Sequence, residues 1–204
     1  MVRNQYAVEM ARIREFDRTT VLRKAIEVFW THGFDSTNLP ELLEAMGLSK
    51  SSLYDTFGDK KKLFEEAIDL YVKEIAFSKV EMLVNASSVK AGFQAFFAEQ
   101  IRCCTDRKFP GGCFLVNTAI SLNNVPPPLA KKIRKSVDKM HALFLSQIQK
   151  GQKAGEIPHV KDASALASAI MGTSMGMNVM ARVNIQDVRT LEQMVETTMN
   201  SIFN

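Results

Sequence analysis

Residues 37–60 constrain this chain more than any other stretch, because they combine two short helical patterns with a tight turn between them. Four apolar side chains recur at near-helical spacing and are followed at once by Gly47, the residue type that best forms a left-handed C-cap. Thr37 can cap the first helix through its hydroxyl, and Ser49 can cap the second. The spacing therefore predicts two consecutive helices that meet at a sharp corner.

The second helix of this corner has an apolar inner face and a small, polar outer face. Leu53 and Phe57 lie four apart and face inward. Short hydroxyls, an ammonium and a phenol lie outward near the helix N-terminus, and such groups suit base edges and phosphates in a major groove. An ordinary helical corner with a solvated face is the alternative. The outward side chains are Lys50, Ser51, Ser52, Tyr54, Asp55 and Thr56.

The stretch from Phe16 to Phe64 resembles the DNA-binding domain of the TetR/AcrR family of bacterial transcriptional regulators. The similarity is carried by REFD at 14–17, AIEVFWTHGFDSTNLPELLEAMG at 25–47 and LSKSSLYDTFGDKKKLFEEAI at 48–68. The family's recognition helix is serine-rich and is followed by Leu-Tyr, an aromatic residue and a lysine that opens the next helix. The positions that match this pattern are Leu53, Tyr54, Phe57 and Lys60.

The resemblance also implies which side chains contact DNA. It assigns base edges to Lys50 and Ser52, where lysine suits guanine O6 and N7. It assigns a phosphate near the first helix of the corner to Thr37, and a clamp on the DNA backbone to Lys60. The other outward hydroxyls would hold phosphates or add base contacts. The predicted DNA-binding residues are Thr37, Lys50, Ser51, Ser52, Tyr54, Thr56 and Lys60.

The remaining chain also has helical periodicity, so the predicted fold class is all-α. Residues 1–60 are expected to form an N-terminal three-helix helix-turn-helix domain. By the resemblance, residues 61–204 form a C-terminal helical domain for effector binding and dimerisation. Breaks at glycine-rich and proline-rich stretches separate the predicted helices, which cover 17–32, 60–84, 88–105, a segment from 113, 128–150, 162–183 and 187–203.

The last two predicted helices have the composition of a helix–helix interface. Residues 162–183 are crowded with Ala, Ser, Gly and Met, which allows two helices to approach closely, and residues 187–203 carry an apolar stripe. A buried core helix is the alternative. The resemblance implies a homodimer with a four-helix interface, which would present two recognition helices to double-stranded operator DNA of matching two-fold symmetry.

The periodicity of the second domain predicts the walls of an effector pocket, although the same side chains would serve as plain core. A small apolar ligand between these helices would move the helix that begins at Lys60 and change the spacing of the recognition helices. The function implied by the resemblance is a repressor that this ligand releases from its operator. The predicted pocket residues are Phe93, Phe96, Phe97, Phe114, Met140, Phe144 and Met171.

The three cysteines allow other interpretations, in which a thiol and not an apolar pocket detects the signal. Cys103, Cys104 and Cys113 can be small buried apolar side chains. Alternatively, Cys113 lies at a predicted helix N-terminus after two glycines, where a lowered pKa would let it sense oxidants or electrophiles. A third interpretation is a soft-metal site that combines these thiolates with methionine or His141.

The composition of the chain and the motifs it lacks exclude several classes of function. No apolar run approaches the roughly 18–20 residues of a membrane span, and the odd number of cysteines fits a reducing cytoplasm. Hydrolase, P-loop, zinc-protease and dinucleotide fingerprints are absent, so no enzyme activity, cofactor or metal is predicted. Residues 1–62 carry ten Lys or Arg against nine Asp or Glu, so bulk charge is weak evidence for DNA binding.

Two basic segments and one further function class have open interpretations. Arg3, Arg12 and Arg14 belong either to a disordered tail or to an arm that reaches phosphates or the minor groove. The lysines at 131–139 form either a solvated face or a second nucleic-acid site. A helix-turn-helix protein used only for protein–protein contact is the remaining alternative, and it predicts no salt-dependent DNA affinity.

Overall fold

The computed structural model describes residues 17–184 and 187–204, and every regular element in these residues is helical. The all-α prediction is therefore confirmed, while the segment 1–15, with its two open interpretations, lies outside the described residues. The α-helices are α1 (Arg18–Ser36), α2 (Leu39–Met46), α3 (Lys50–Phe57), α4 (Lys60–Tyr71), α5 (Phe77–Val84), α6 (Val89–Thr105), α7 (Phe114–Ala119), α8 (Pro127–Lys153), α9 (Ala163–Arg182) and α10 (Val188–Phe203).

The corner between α2 and α3 forms as the sequence predicts. Gly47 adopts φ 67° and ψ 32°, a left-handed conformation that glycine reaches at no steric cost, and α2 ends there. Ser49 caps α3 by accepting a hydrogen bond from the Ser52 amide at 3.1 Å. Leu53 and Phe57 are buried against the rest of the domain. The outer face of α3 is thereby turned away from the core.

The predicted cap at the start of α2 is wrong by one residue. Asn38 Oδ1 accepts a hydrogen bond from the Glu41 amide at 2.9 Å, so Asn38 is the N-cap. Thr37 is buried instead, and its hydroxyl donates to the carbonyl oxygen of Gly33 at 2.6 Å. Gly33 itself has φ 80° and ψ 175°, a conformation that interrupts α1 and makes its last turn a separate unit.

The core of the DNA-binding half continues into the second half of the chain. Phe64 of α4 packs edge-on against Phe29 at 4.7 Å between ring centroids, and against Phe114 of α7 at 5.4 Å. Leu129 and Ile133 of α8 are buried in the same cluster. Because α4 and α7 share one apolar core with α1, a displacement in the second half can reach the first through close packing.

The predicted long helix over 60–84 is helical throughout but is not one α-helix. A π-helical segment, Val72–Ala76, joins α4 to α5. Such segments are rare and are frequently found at functional sites. A second core lies beyond this segment and packs α5, α6, α8, α9 and α10 together. In the described residues, no helix is long and apolar enough to span a membrane.

Candidate functional site

The outward face of α3 offers a compact set of polar groups. Lys50, Ser51 and Asp55 are exposed, and Tyr54 is 45% exposed. Ser52 and Thr56 are half-buried at the edges of this face. The size and position of these side chains would allow the major groove of DNA to approach α3 closely.

The three serines at the start of α3 form one hydrogen-bonded cluster. The Ser49 hydroxyl lies 3.0 Å from the Ser51 hydroxyl and 2.8 Å from the Ser52 hydroxyl. These contacts fix the rotamers at the N-terminus of an eight-residue helix. The first-turn amides of a helix favour anions, so the cluster holds hydroxyl and amide donors where a phosphate would approach.

Two of the residues predicted to contact DNA already have partners within the protein. The Thr37 hydroxyl is buried and bonded to the Gly33 carbonyl, so a phosphate contact through that hydroxyl is inconsistent with the structure. The Lys60 ammonium lies 4.7 Å from the centroid of the Phe34 ring and donates to the Asp35 carbonyl oxygen at 3.4 Å. Burial lowers the pKa of Lys60. A backbone clamp by Lys60 would require the ammonium to leave these partners.

A cavity of about 70 Å³ lies in the second half of the chain between α4, α6, α7, α8 and α9. Three predicted pocket residues, Phe96, Met140 and Met171, line it. The other four do not line it and are buried in apolar core, so their role as pocket walls stays a prediction. Phe93, Phe97 and Phe144 belong to the second core, and Phe114 belongs to the first.

Polar residues that periodicity did not single out define one side of this cavity. Gln100 is buried and donates from Nε2 to the Ser174 carbonyl oxygen at 2.7 Å, while the Ser174 hydroxyl donates back to Gln100 Oε1 at 2.9 Å. Asn178 donates from Nδ2 to the same carbonyl oxygen at 2.8 Å. The cavity is therefore apolar with a fixed amide edge, which is a common composition for a small-molecule site.

Cys113 also lines the cavity and contacts a buried tyrosine. The Tyr71 hydroxyl donates to Cys113 Sγ at 3.1 Å. Burial, and then the neighbouring Cys113, raise the pKa of the Tyr71 phenol. Burial also raises the pKa of the Cys103 thiol, and it raises that of Cys104 to about 11. In the described residues, no group of three His, Cys, Asp or Glu side chains is arranged to hold a metal ion.

Side chains from α1, α7 and α9 converge on the loop that precedes Cys113. Trp30 Nε1 and Asn117 Nδ2 both donate to the Gly111 carbonyl oxygen, at 3.2 and 3.0 Å. Arg182 donates to the Pro110 carbonyl oxygen at 3.2 Å and also reaches α1. No pattern in the sequence pointed to Arg182 as an interdomain contact.

One face of α9 is left exposed and is made of small residues. Ala165, Ala169 and Gly172 are exposed along this face, and a β-carbon added at Gly172 would meet open space. Leu166 and Ile170 on the opposite face are buried in the second core. The face could accept another helix at short distance.

The helix-turn-helix corner, its exposed polar helix and the attached cavity-bearing helical domain together define the class of DNA-binding regulators. Comparison with known proteins agrees with this class. The family model described as "Bacterial regulatory proteins, tetR family" matches residues 21–67. The model described as "Tetracyclin repressor-like, C-terminal domain" matches residues 91–197.

Relatives of the whole chain belong to the same group. The uncharacterised regulator YezE of Bacillus subtilis is 30% identical over 94% of this chain and 98% of its own. The transcriptional repressor ComR of Escherichia coli is 31% identical over 92% of this chain and 90% of its own. A cysteine mutant of the TetR family regulator CifR, solved with 26-base-pair operator DNA, is 28% identical with a TM-score of 0.84, over 93% of this chain and 98% of its own.

The chain belongs to the TetR family of transcriptional regulators, and DNA binding through the helix-turn-helix domain is its function. The family assignment predicted from the sequence is therefore confirmed. Regulators of this family bind DNA as dimers, and CifR was solved on double-stranded operator DNA.

Proposed function

We propose that this protein represses transcription by binding operator DNA as a homodimer in the cytoplasm, and that a small apolar ligand in the cavity releases it. The observation that carries the proposal is that the cavity and the interdomain contacts share one helix, α9. Asn178 lines the cavity, and Arg182, one helical turn later, bonds to α1. Repression is supported by the relative ComR, which is named a repressor.

The DNA contacts proposed for α3 are base edges for Lys50 and Ser52, and phosphates or additional bases for Ser51, Tyr54 and Thr56. Lysine donates to guanine O6 and N7, while a serine hydroxyl accepts or donates and so tolerates several bases. The exposure of Lys50 and the serine cluster at the helix N-terminus support this assignment.

The exposed small-residue face of α9, together with α10, is the proposed dimer interface. Two copies joined there would each contribute two helices and hold two α3 helices at a fixed separation. A ligand that changes the angle between α9 and the DNA-binding half would change that separation. The operator half-sites, spaced by helical turns, would then no longer be matched.

The test uses DNA from upstream of the protein's own gene. The purified protein is titrated with this duplex and with a scrambled duplex at several salt concentrations. Repression predicts specific binding with a steep inverse dependence on salt, because bound lysines and arginines displace condensed counterions. Equal, salt-independent affinity for both duplexes would contradict DNA recognition and favour a protein-contact role for the helix-turn-helix.

A second candidate function is regulation by a thiol at Cys113. The observation that favours it is the position of Cys113 in the cavity wall, where Tyr71 donates a hydrogen bond to its sulfur. This hydrogen bond holds the sulfur in the cavity wall, where an oxidant or electrophile that enters the cavity would meet it. The relative CifR bears on this candidate only because its DNA complex was solved with a cysteine mutant.

Cys113→Ser separates the two candidates. Operator binding is measured for the wild type and the variant, before and after a thiol oxidant and again after a reductant. Thiol control predicts reversible loss of binding in the wild type and none in Cys113→Ser. If the variant loses binding to the same extent as the wild type, Cys113 is not the sensor.

A further inference from the structure

A second and larger cavity opens on the surface between the α4–α5 helical segment and α8. Its volume is about 500 Å³, within the range of about 300–1,000 Å³ typical of small-molecule sites. None of its lining residues belongs to α9 or α10, so it lies apart from the proposed dimer face. We call it the α8 groove.

The floor of the α8 groove is apolar. Phe77 is 53% exposed there, although a phenyl ring is normally buried. Ala76, Leu115 and Met140 are shared with the smaller inner cavity, so an apolar chain in the groove would lie directly against the wall of that cavity. The other apolar floor residues are Val72, Val80 and Leu143.

The rim of the α8 groove is cationic on one side. Lys132, Lys135 and Lys139 line it, spaced three and four residues apart so that they share one face of α8. Lys132 is already paired, with its ammonium 3.3 Å from Glu65 Oε1 and 2.5 Å from Asp69 Oδ2. In the described part of the chain, neither of the other two lysines has a carboxylate within ion-pairing distance.

An apolar floor beside two exposed, unpaired ammonium groups is complementary to a ligand with an apolar chain and one anionic head. We propose that the α8 groove binds an amphipathic carboxylate, with its chain on the floor around Phe77 and its head group at Lys135 and Lys139. Burial of the chain provides affinity, while the two ammonium groups select the charged head. The lysines of α8 thus form a binding rim as well as a solvated face.

The position of the groove also indicates how its ligand would act. Val72 and Ala76 belong to the π-helical segment that joins α4 to α5, and they lie in the groove wall. A chain bound there would contact the one irregular part of the helical connection between the domains. That the carboxylate acts as an effector rests on the proposed function, whereas its binding to the groove does not.

The test compares three probes that share a ten-carbon chain: decanoate, decanol and decyltrimethylammonium, with the two ionic probes below their micelle concentrations and decanol below its solubility limit. Binding to the full-length protein is measured by calorimetry for the wild type, for Lys135→Gln/Lys139→Gln and for Arg134→Gln. Arg134 is exposed on the opposite face of α8 and serves as the matched control. Far-UV circular dichroism checks that each variant is folded.

The expected result is that the wild type binds decanoate at least about tenfold more tightly than either other probe. The double lysine variant loses this preference, and Arg134→Gln keeps it. Equal affinities for decanoate and decanol in the wild type, or an unchanged decanoate affinity in the double variant, would overturn the proposal.

Operator affinity, measured on the same samples with and without decanoate, tests the proposed function separately. Loss of operator binding only where decanoate binds would support ligand-controlled release. Charge-dependent decanoate binding with unchanged operator affinity would leave the α8 groove established as a site and contradict its role in release.

Discussion

Arg182 Nη2 of α9 donates to the Thr31 carbonyl oxygen of α1 at 2.7 Å, across 151 positions of sequence. Thr31 lies just before the Gly33 interruption and seven residues before Asn38, the N-cap of α2. The same guanidinium holds the Pro110 carbonyl oxygen. One side chain therefore ties the end of α1 to both the glycine loop and the proposed dimer helix.

Replacing Arg182 with alanine should loosen this connection. The two carbonyl oxygens lose a charged donor, which predicts a loss of about 1–2 kcal/mol in the free energy of unfolding, measured by urea titration. Operator affinity should also fall, because α3 is no longer held at one distance from its partner. Arg134→Ala, at an exposed position of α8, is the control; equal operator affinities for the two variants would contradict a coupling role for Arg182.

The assignment of Asn38 as the N-cap of α2 predicts how much stability is lost when Asn38 or Thr37 is replaced. Asn38→Ala removes the acceptor of the Glu41 amide and should destabilise the protein by about 1 kcal/mol, whereas Asn38→Ser keeps a cap and should cost little. Thr37→Val removes a buried donor to the Gly33 carbonyl and should cost about 1 kcal/mol for that separate reason. Chemical denaturation of the three variants distinguishes these roles. A harmless Asn38→Ala would mean that Asn38 is not the cap.

The cysteines should differ in their reaction with iodoacetamide as pH changes. Burial disfavours the Cys104 thiolate, so at pH 8 a pKa of about 11 leaves roughly one thiolate in a thousand. Alkylation of Cys104 in the folded protein should be very slow at pH 8 and should accelerate as the pH rises towards that pKa. Peptide mass spectrometry after timed quenching reports each cysteine. Rapid labelling of Cys104 at pH 8 under native conditions would show that the thiol is not held in a buried environment.

The small-residue face of α9 predicts a sensitive position at Gly172. A β-carbon added there meets no atom of the subunit within 4 Å, so a leucine should leave the monomer fold intact. In a dimer it would meet the partner helix and should shift the equilibrium towards monomer by at least about tenfold, measured by analytical ultracentrifugation. Ala142→Leu, at an exposed position of α8, is the matched control. If Gly172→Leu dimerises as tightly as the wild type, the dimer interface does not include this face of α9.

Capping residues and helical periodicity in the sequence predicted the helix-turn-helix corner and most helix boundaries. Gly47, Ser49, Leu53 and Phe57 have the roles that capping chemistry and periodicity gave them, because each role depends on neighbours within a few residues. The cap at α2 was missed by one residue because Thr37 and Asn38 are both good capping residues, and only burial of the former decides between them.

The cavity could be predicted only in part. Helical periodicity identifies side chains that face inward, but it does not distinguish a cavity wall from filled core. Phe96 and Phe97 are neighbours on one helix, yet only Phe96 lines the cavity. Arg182 and Gln100 were missed because their partners are distant in sequence and come together only through tertiary packing. The domain boundary at residue 60 stays a prediction.

The most direct test of the account is the ratio of operator to scrambled-duplex affinity in the wild type, Lys50→Ala and Lys153→Ala. Lys50 is exposed at the start of α3, whereas Lys153 is exposed at the end of α8. Fluorescence anisotropy at several salt concentrations gives both affinities. We predict that Lys50→Ala lowers the ratio about tenfold while Lys153→Ala leaves it unchanged. Equal ratios in all three proteins would contradict the claim that α3 reads the operator.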